Sequence, residues 1–217
     1  ACTIENNEAT LNDLGGGGGG INCGAGSSPT LTNLTIRSNT AEWVRVGIQI
    51  YDNSNPTITD VTIADNATSE VDGYGGGIAI EEFCSPLLTN VAIIGNTAYW
   101  AGGCNLYSSA NATLINVTIS NNSAELYGGL SCVGSSASLV NCILWNNTDW
   151  NNTDQGIHVS SSGSVTATYS DIQGGFEGTG NIDADPLFCD PDNGDYSLYN
   201  ISECVGTSSD GGIMGAL

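Results

Sequence analysis

The sequence predicts an all-β fold, a parallel β-helix in which coils of about 27 residues stack along one axis. Three observations lead to this prediction. A phrase ending in Asn recurs through the chain, a second phrase places Gly before an apolar residue, and the composition does not suit long helices. Because such coils are similar, each can bury its apolar side chains against the next and pair its strands with equivalent ones.

The composition favours a single β-rich domain. The chain has 217 residues, of which 40% are hydrophobic, so it can bury a sizeable core. It also has 30 glycines and only 12% charged residues, whereas long amphipathic helices draw on Ala, Leu, Glu, Lys and Arg. We therefore expect short strands joined by many turns.

The first phrase occurs at 31–39, 58–66, 88–96, 114–122 and 139–147, and a shortened copy opens the chain at 2–7. Its apolar residues alternate with polar ones, which is typical of a strand with one face inward. The last residue of every copy is Asn, and stacked coils would place these side chains above one another as a hydrogen-bonded ladder. The predicted ladder comprises Asn7, Asn39, Asn66, Asn96, Asn122 and Asn147.

The second phrase is a Gly followed by an apolar residue, and it begins at Gly20, Gly47, Gly77, Gly103, Gly129 and Gly156. From this Gly to the next first phrase the spacing is almost constant. The length variation of the repeat therefore lies between the ladder Asn and the Gly, so one corner of each coil should carry loops of variable size.

The pairing of Gly-Gly-apolar with Ile-x-x-Asn resembles the repeats of polymorphic outer-membrane proteins and of the wider right-handed parallel β-helix superfamily, which includes pectate lyases. The resemblance covers about residues 1–175 and implies a right-handed solenoid, for which we predict about six to seven coils. The stretches 169–174, 183–188 and 194–198 resemble the closing segment of secreted bacterial β-helix proteins. We therefore assign 1–175 to the coils and 176–217 to a C-terminal cap of the same domain.

Eight cysteines without zinc-site spacing predict disulfides and an oxidising compartment. Cys189 and Cys204 would close the terminal segment. Equal positions within the repeat suggest that Cys2 pairs with Cys23 and Cys132 with Cys142, which leaves Cys84 with Cys104.

Aromatic residues recur in the variable loops, where they would line one edge of the solenoid. One interpretation is a face that stacks on sugar rings or anchors a partner protein, and the other is simple packing over the corner of each coil. The candidates for this ligand or partner face are Trp43, Tyr74, Tyr99, Trp100, Tyr127 and Trp150.

The loop 190–195 offers the oxygen ligands that calcium prefers, in Asp190, Asp192 and Asp195. It lacks the downstream Glu of an EF-hand, and Asn193-Gly194 also makes an ordinary turn. Calcium is the one cofactor that the sequence suggests.

Charge and hydropathy limit the partners. Lys and Arg together number 2, whereas Asp and Glu together number 23. The net charge of -21 leaves no basic patch for nucleic acid. No apolar run is long enough to span a membrane.

Residues 152–158 resemble an element of polygalacturonases that supplies one catalytic aspartate, here Asp154, but Gln155 interrupts it and the family's other elements are missing. We therefore predict a non-catalytic extracellular or cell-surface protein, structural or adhesive, for which carbohydrate or another surface protein is a plausible ligand. The alternative is a polysaccharide lyase or glycoside hydrolase.

A third class is ice binding through Thr35, Thr62 and Thr118, although Ala92 and Ile143 interrupt that row. Because the first coil begins abruptly at Cys2, we expect either further coils before it in a longer protein or another molecule stacked on this end. Repeated stacking of this kind would give end-to-end assembly into a filament.

Overall fold

The computed structural model describes residues 2–9, 19–41, 45–68, 73–151, 156–160 and 162–216. These residues form short strands and one 3-10 turn, and none of their helices is long and apolar enough to cross a membrane. The elements, in chain order, are β1 (Cys2–Glu5), β2 (Glu8–Ala9), β3 (Ile21–Cys23), β4 (Thr30–Arg37), β5 (Thr40–Ala41), β6 (Ile48–Ile50), β7 (Thr57–Ala64), β8 (Ala67–Thr68), β9 (Ile78–Ile80), β10 (Leu87–Ile94), β11 (Thr97–Trp100), β12 (Cys104–Tyr107), β13 (Asn111–Ser120), β14 (Ser123–Leu126), β15 (Leu130–Val133), β16 (Ser136–Val140), β17 (Ile143–Trp145), β18 (Ile157–Val159), β19 (Ser164–Thr168), β20 (Asp171–Ile172), β21 (Phe188–Asp190), the 3-10 turn (Pro191–Asn193) and β22 (Asp195–Leu198).

Three parallel sheets form the sides of the solenoid. Sheet A joins β1, β4, β7, β10, β13, β16 and β19, and it also includes β17 and β20. Sheet B joins β2, β5, β8, β11 and β14, and sheet C joins β3, β6, β9, β12, β15 and β18. Each strand pairs with the strand one coil away, so equivalent residues face each other: Ile36 pairs with Ile63, and Ile63 with Ile93. The predicted fold class, an all-β parallel β-helix, is confirmed.

The number of complete coils is about five, slightly fewer than predicted. Five successive coils contribute a strand to all three sheets. In the sixth coil, the described contact with sheet B is a single bridge between Ser123 and Thr148. A seventh coil begins with β19 and β20 in sheet A.

Two corners of each coil are left-handed backbone positions. Sheet A bends at residues with φ between 52° and 56°, which lie within its long strands or, for the last one, between β16 and β17: Asn33, Asp60, Asn90, Asn116 and Asn141. Asn and Asp tolerate this conformation better than other side chains, apart from glycine. A second left-handed residue, such as Asp65 or Asn121, precedes the ladder Asn and turns the chain into sheet B.

The interior is a column of aliphatic side chains, including Ile36, Ile63 and Ile93, which are fully buried. At its carboxyl end the column is covered by the segment after β20. Ile182 pairs with the last strand of sheet A through hydrogen bonds to Ser170 and Ile172, and Phe176 packs on the main core. The chain then folds back along the outer face of sheet A, where the β21–β22 hairpin and residues 204–216 lie.

The structure corrects the disulfide predictions, because all eight cysteines are free thiols. Cys189 lies in β21, whereas the Cys204 thiol is buried and donates a hydrogen bond to Asp171 Oδ2 at 3.1 Å. Cys2 is exposed in sheet A, while Cys23 lies in the core within sheet C. Equal positions within a repeat therefore did not bring these thiols together.

The predicted Cys132–Cys142 and Cys84–Cys104 pairs are also absent. Each thiol has other neighbours: the Cys132 thiol donates to the Ser135 carbonyl at 3.1 Å, and that of Cys142 to the Val140 carbonyl at 3.4 Å. Burial raises the pKa of the Cys142 thiol to about 12, so it stays protonated as a donor. The thiols thus give no support to the inference of an oxidising compartment.

Asp171 makes the covering segment sensitive to pH. Its side chain is fully buried, and burial raises its pKa from an ordinary 3.8 to about 6. The folded chain binds the Asp171 proton more tightly than the unfolded chain does, so protonation of Asp171 stabilises the fold. This contribution to the free energy of unfolding is complete below about pH 4 and is lost as the pH rises through about 6. Between pH 4 and 7, ionisation of Asp171 should lower the free energy of unfolding by about 2–3 kcal/mol. We expect Asp171→Asn to remove this pH-dependent loss.

Urea unfolding at several pH values would measure this difference. Glu177→Gln, at an exposed site of the same segment, is the matched control and should leave the pH profile unchanged. Parallel profiles for the original chain and Asp171→Asn would show that Asp171 does not cause the effect.

Candidate functional site

The outer face of sheet C carries polar side chains that are buried although they point away from the core. Ile48 and Ile50 face inward, so Gln49 between them faces outward by the alternation of a strand. In the same row, Asn105 pairs in register with Ser131. Only 5% of the surface of Asn105 and 2% of that of Ser131 is exposed, which indicates that neighbouring side chains flank and cover them.

A row of stacked rings forms one of these walls. Tyr74 stacks on Trp100 with centroids 6.0 Å apart, Trp100 lies 6.0 Å from Tyr127, and Tyr127 stacks on His158 at 3.6 Å. Each contact joins neighbouring coils, so the row follows the solenoid axis. Burial lowers the pKa of His158, which favours the neutral ring in this stack.

An ion pair closes one end of the row. The Arg45 guanidinium lies 5.8 Å from the centre of the Tyr74 ring and donates from Nε to Glu81 Oε1 at 2.9 Å. Its Nη2 donates to the same oxygen. The charge of Arg45 is therefore neutralised by a carboxylate that is almost fully buried.

Between these walls lies a groove of about 330 Å³, lined by Arg45, Tyr74, Trp100, Asn105, Tyr107, Ser131 and Val133. Tyr107, on the side opposite the ring row, is 54% exposed. Among the described residues, no hydrogen bond joins the side chain of Asn105 or Ser131 to a neighbour. Two nearly buried polar groups thus face the groove with unused hydrogen-bonding capacity.

Three of the six residues predicted for the aromatic face form part of this wall. Tyr74 and Trp100 line the groove, and Tyr127 extends the row. Tyr99 contacts the wall at Trp100, with ring centroids 6.0 Å apart, and also meets the exposed Trp150 edge-on at 6.2 Å. The rings pack on one another, and both interpretations of the aromatic residues stay predictions. Trp43 lies outside the described residues, as does Asp154 of the polygalacturonase-like fragment.

Two of the three carboxylates of the predicted calcium loop, those of Asp190 and Asp195, accept hydrogen bonds from neighbouring residues. Asn193 donates to both carboxylate oxygens of Asp190 at 3.0 and 2.9 Å, and Asp195 accepts from the Ser197 backbone at 3.0 Å. Among the described residues, no three His, Cys, Asp or Glu side chains are grouped as a metal site requires. Calcium binding by Asp190, Asp192 and Asp195 stays a prediction without structural support.

The structure places the six ladder asparagines in one line at the corner between sheets A and B. Asn66 Nδ2 donates to the next coil at Asn96 Oδ1, 2.9 Å away, and Asn96 repeats the contact with Asn122 at 3.0 Å. The second amide proton bonds backwards, as from Asn96 to the Ile63 carbonyl at 2.9 Å. The same pattern continues through Asn7, Asn39 and Asn147, so the ladder is structural and is separate from the groove.

Comparison with known proteins identifies the fold. Residues 1–99 match a family model described as a right handed beta helix region. No curated protein and no solved structure shows significant similarity. The same coil geometry continues in register beyond the matched region, from β13 through β19. The chain therefore folds as a right-handed parallel β-helix, and its first 99 residues match the family model.

Proposed function

We propose that this β-helix is a non-catalytic extracellular or cell-surface protein that binds a neutral carbohydrate in the sheet C groove. The observation that carries the proposal is the pair Asn105 and Ser131, which are nearly buried and lack hydrogen-bond partners among the described residues. Aromatic rings flank them on both sides. Carbohydrates suit such a site because they offer hydroxyl groups to amides and C–H faces to rings.

The charge of the groove supports a neutral ligand. An acidic polysaccharide needs cations, and the whole chain has two Lys and Arg residues. Arg45 is tied to Glu81 at the groove, and Arg37 is paired with Glu5 on sheet A. Neither arginine is free to offset carboxylates on a ligand, and the net charge of -21 would repel them.

The groove lining supports binding rather than catalysis. Glycoside hydrolysis uses two carboxyl groups on either side of the scissile bond, and none of the seven lining residues is a carboxylate. The nearby Glu81 is held in its ion pair with Arg45. A rigid solenoid that displays such a groove suits adhesion, and binding of another surface protein or end-to-end assembly stays a prediction.

Replacing Tyr107 with alanine should weaken binding of neutral oligosaccharides about tenfold, because the exposed ring supplies one wall of the groove. Isothermal titration with cello-, xylo- and mannohexaose would measure the change. Tyr199→Ala is the matched control, since Tyr199 is 52% exposed but lies in the C-terminal segment. Tighter binding of polygalacturonate or alginate, release of sugar from any of these glycans, or equal loss in both variants would contradict the proposal.

A further inference from the structure

A second groove runs along the outer face of sheet A, far from the ring row. Two adjoining cavities of about 420 and 620 Å³ share Thr62 as a lining residue. The floor follows one row of in-register positions, Thr35, Thr62 and Ala92, one coil apart. On one side stand the left-handed residues Asp60 and Asn90, and on the other the 3-10 turn after β21.

The next position in this row already binds a backbone segment of the same chain, residues 215–216. Thr118 pairs with Ala92 in register, and its hydroxyl accepts a hydrogen bond from the Ala216 backbone N–H at 2.9 Å. The same hydroxyl donates to the Ala216 carbonyl at 3.2 Å. One threonine thus satisfies both backbone groups of one residue. This contact buries Thr118 fully, so the row Thr35, Thr62 and Thr118 is not the open face that ice binding would require.

The peptide can lie this close because its residues are small. A Cβ atom on Gly215 would come within 2.6 Å of Thr118 Oγ1 and 2.8 Å of Ile143 Cδ1. The smaller cavity begins at Gly215 and Ala216 and continues over Ala92 to Thr62. Thr118 and Thr62 are two coils apart, about 9.6 Å, which is the length of about three extended residues.

Thr62 has the same position on the sheet as Thr118 but no peptide to bind. Neither Thr62 nor Thr35 has a side-chain hydrogen bond within the described part of the chain. The carboxylates of Asp60, Asp65 and Asp192 border the groove, and its one cation, Arg37, is paired with Glu5. The groove is therefore acidic and has free hydroxyls along its floor.

We infer that this groove binds an extended peptide of small and basic residues, which continues the path of residues 215–216 along the sheet. The Thr62 hydroxyl forms hydrogen bonds with the backbone of the peptide in the same way as the Thr118 hydroxyl does with the backbone of Ala216. Basic side chains pair with Asp60, Asp65 or Asp192 at the rims. This site is independent of the carbohydrate groove on sheet C.

The probe is a fluorescein-labelled peptide, Gly-Ala-Gly-Ala-Lys-Lys, titrated against the intact chain by fluorescence anisotropy. We expect saturable binding that Thr62→Val weakens about fivefold, because one hydroxyl that bonds the peptide backbone is lost. Thr89→Val is the matched control, since Thr89 also faces outward on sheet A but does not line either cavity. Asp192→Asn should weaken binding of the lysine peptide and not of a version with Ser in place of Lys.

Two further probes separate peptide recognition from other causes. Methylation of the peptide nitrogens should abolish binding, because it removes the N–H groups that threonine accepts, and replacement of both Lys by Glu should weaken it. The inference is overturned if no anisotropy change occurs up to about 1 mM peptide. It is equally overturned if the methylated peptide binds as well, if Thr89→Val has the same effect as Thr62→Val, or if a neutral hexasaccharide displaces the peptide.

Discussion

Replacing Asn96 with alanine should lower the free energy of unfolding by about 3 kcal/mol, because it leaves several buried groups without a partner. Asn96 Oδ1 accepts from both the backbone N–H and the side-chain amide of Asn66, at 3.0 and 2.9 Å. Its own amide donates to the Ile63 carbonyl at 2.9 Å. All these groups lie in the fully buried ladder, where water cannot replace the lost contacts.

Urea or thermal unfolding would measure the loss. Asn22→Ala is the appropriate control, since Asn22 is exposed on sheet C, and it should change stability by less than about 0.5 kcal/mol. Equal unfolding free energies for the original chain and Asn96→Ala would mean that the ladder contributes nothing net.

Replacing Gly47 with alanine should destabilise the chain by about 3 kcal/mol or more, because a side chain there collides with the next coil. A Cβ atom would come within 2.2 Å of the Gly77 carbonyl oxygen and 2.8 Å of Ile63 Cγ2. Neither neighbour can yield easily. The carbonyl belongs to the backbone that Ile48 bonds at 2.9 Å, and Ile63 is fully buried.

Gly212→Ala provides a control, because a Cβ atom there would meet only the ends of two side chains, Asp210 Oδ1 at 3.1 Å and Ser208 Oγ at 3.4 Å. Its cost should stay below about 1 kcal/mol. Circular dichroism during heating would compare the two variants. A melting temperature of Gly47→Ala equal to that of Gly212→Ala would show that the coils can separate locally without cost.

The repeat made the fold and the ladder predictable, because a stack of coils converts sequence period into spatial register. Asn39, Asn66 and Asn96 occupy one position of the phrase, and the structure places them in one line. The same periodicity held a signal that was missed: Asn or Asp also recurs at Asn33, Asp60 and their equivalents. These residues tolerate the left-handed bend of sheet A, so their regular spacing marked a corner.

Periodicity could not predict contacts that occur once. Cys132 has the same position in the repeat as Cys23, and Cys142 has the same position as Cys2. This equivalence concerns the order of residues along a coil and does not fix the distance between two thiols. The groove was missed for a related reason. Strand alternation places Asn105 and Ser131 on the outer face of the sheet, and their burial depends on side chains from neighbouring coils and loops, which a local pattern does not show.

The sequence by itself determined the repeating part of this protein: the strands, their inward faces and the stacked asparagines. These features depend on interactions between a coil and its nearest neighbours, which every copy of the phrase encodes again. Only the tertiary structure decided where the non-repeating segments lie. Thr118 meets Ala216, 98 residues away, and Tyr127 meets His158 because the coils stack. Both grooves arise from such long-range contacts, since a local pattern specifies a strand but not what packs over its outer face.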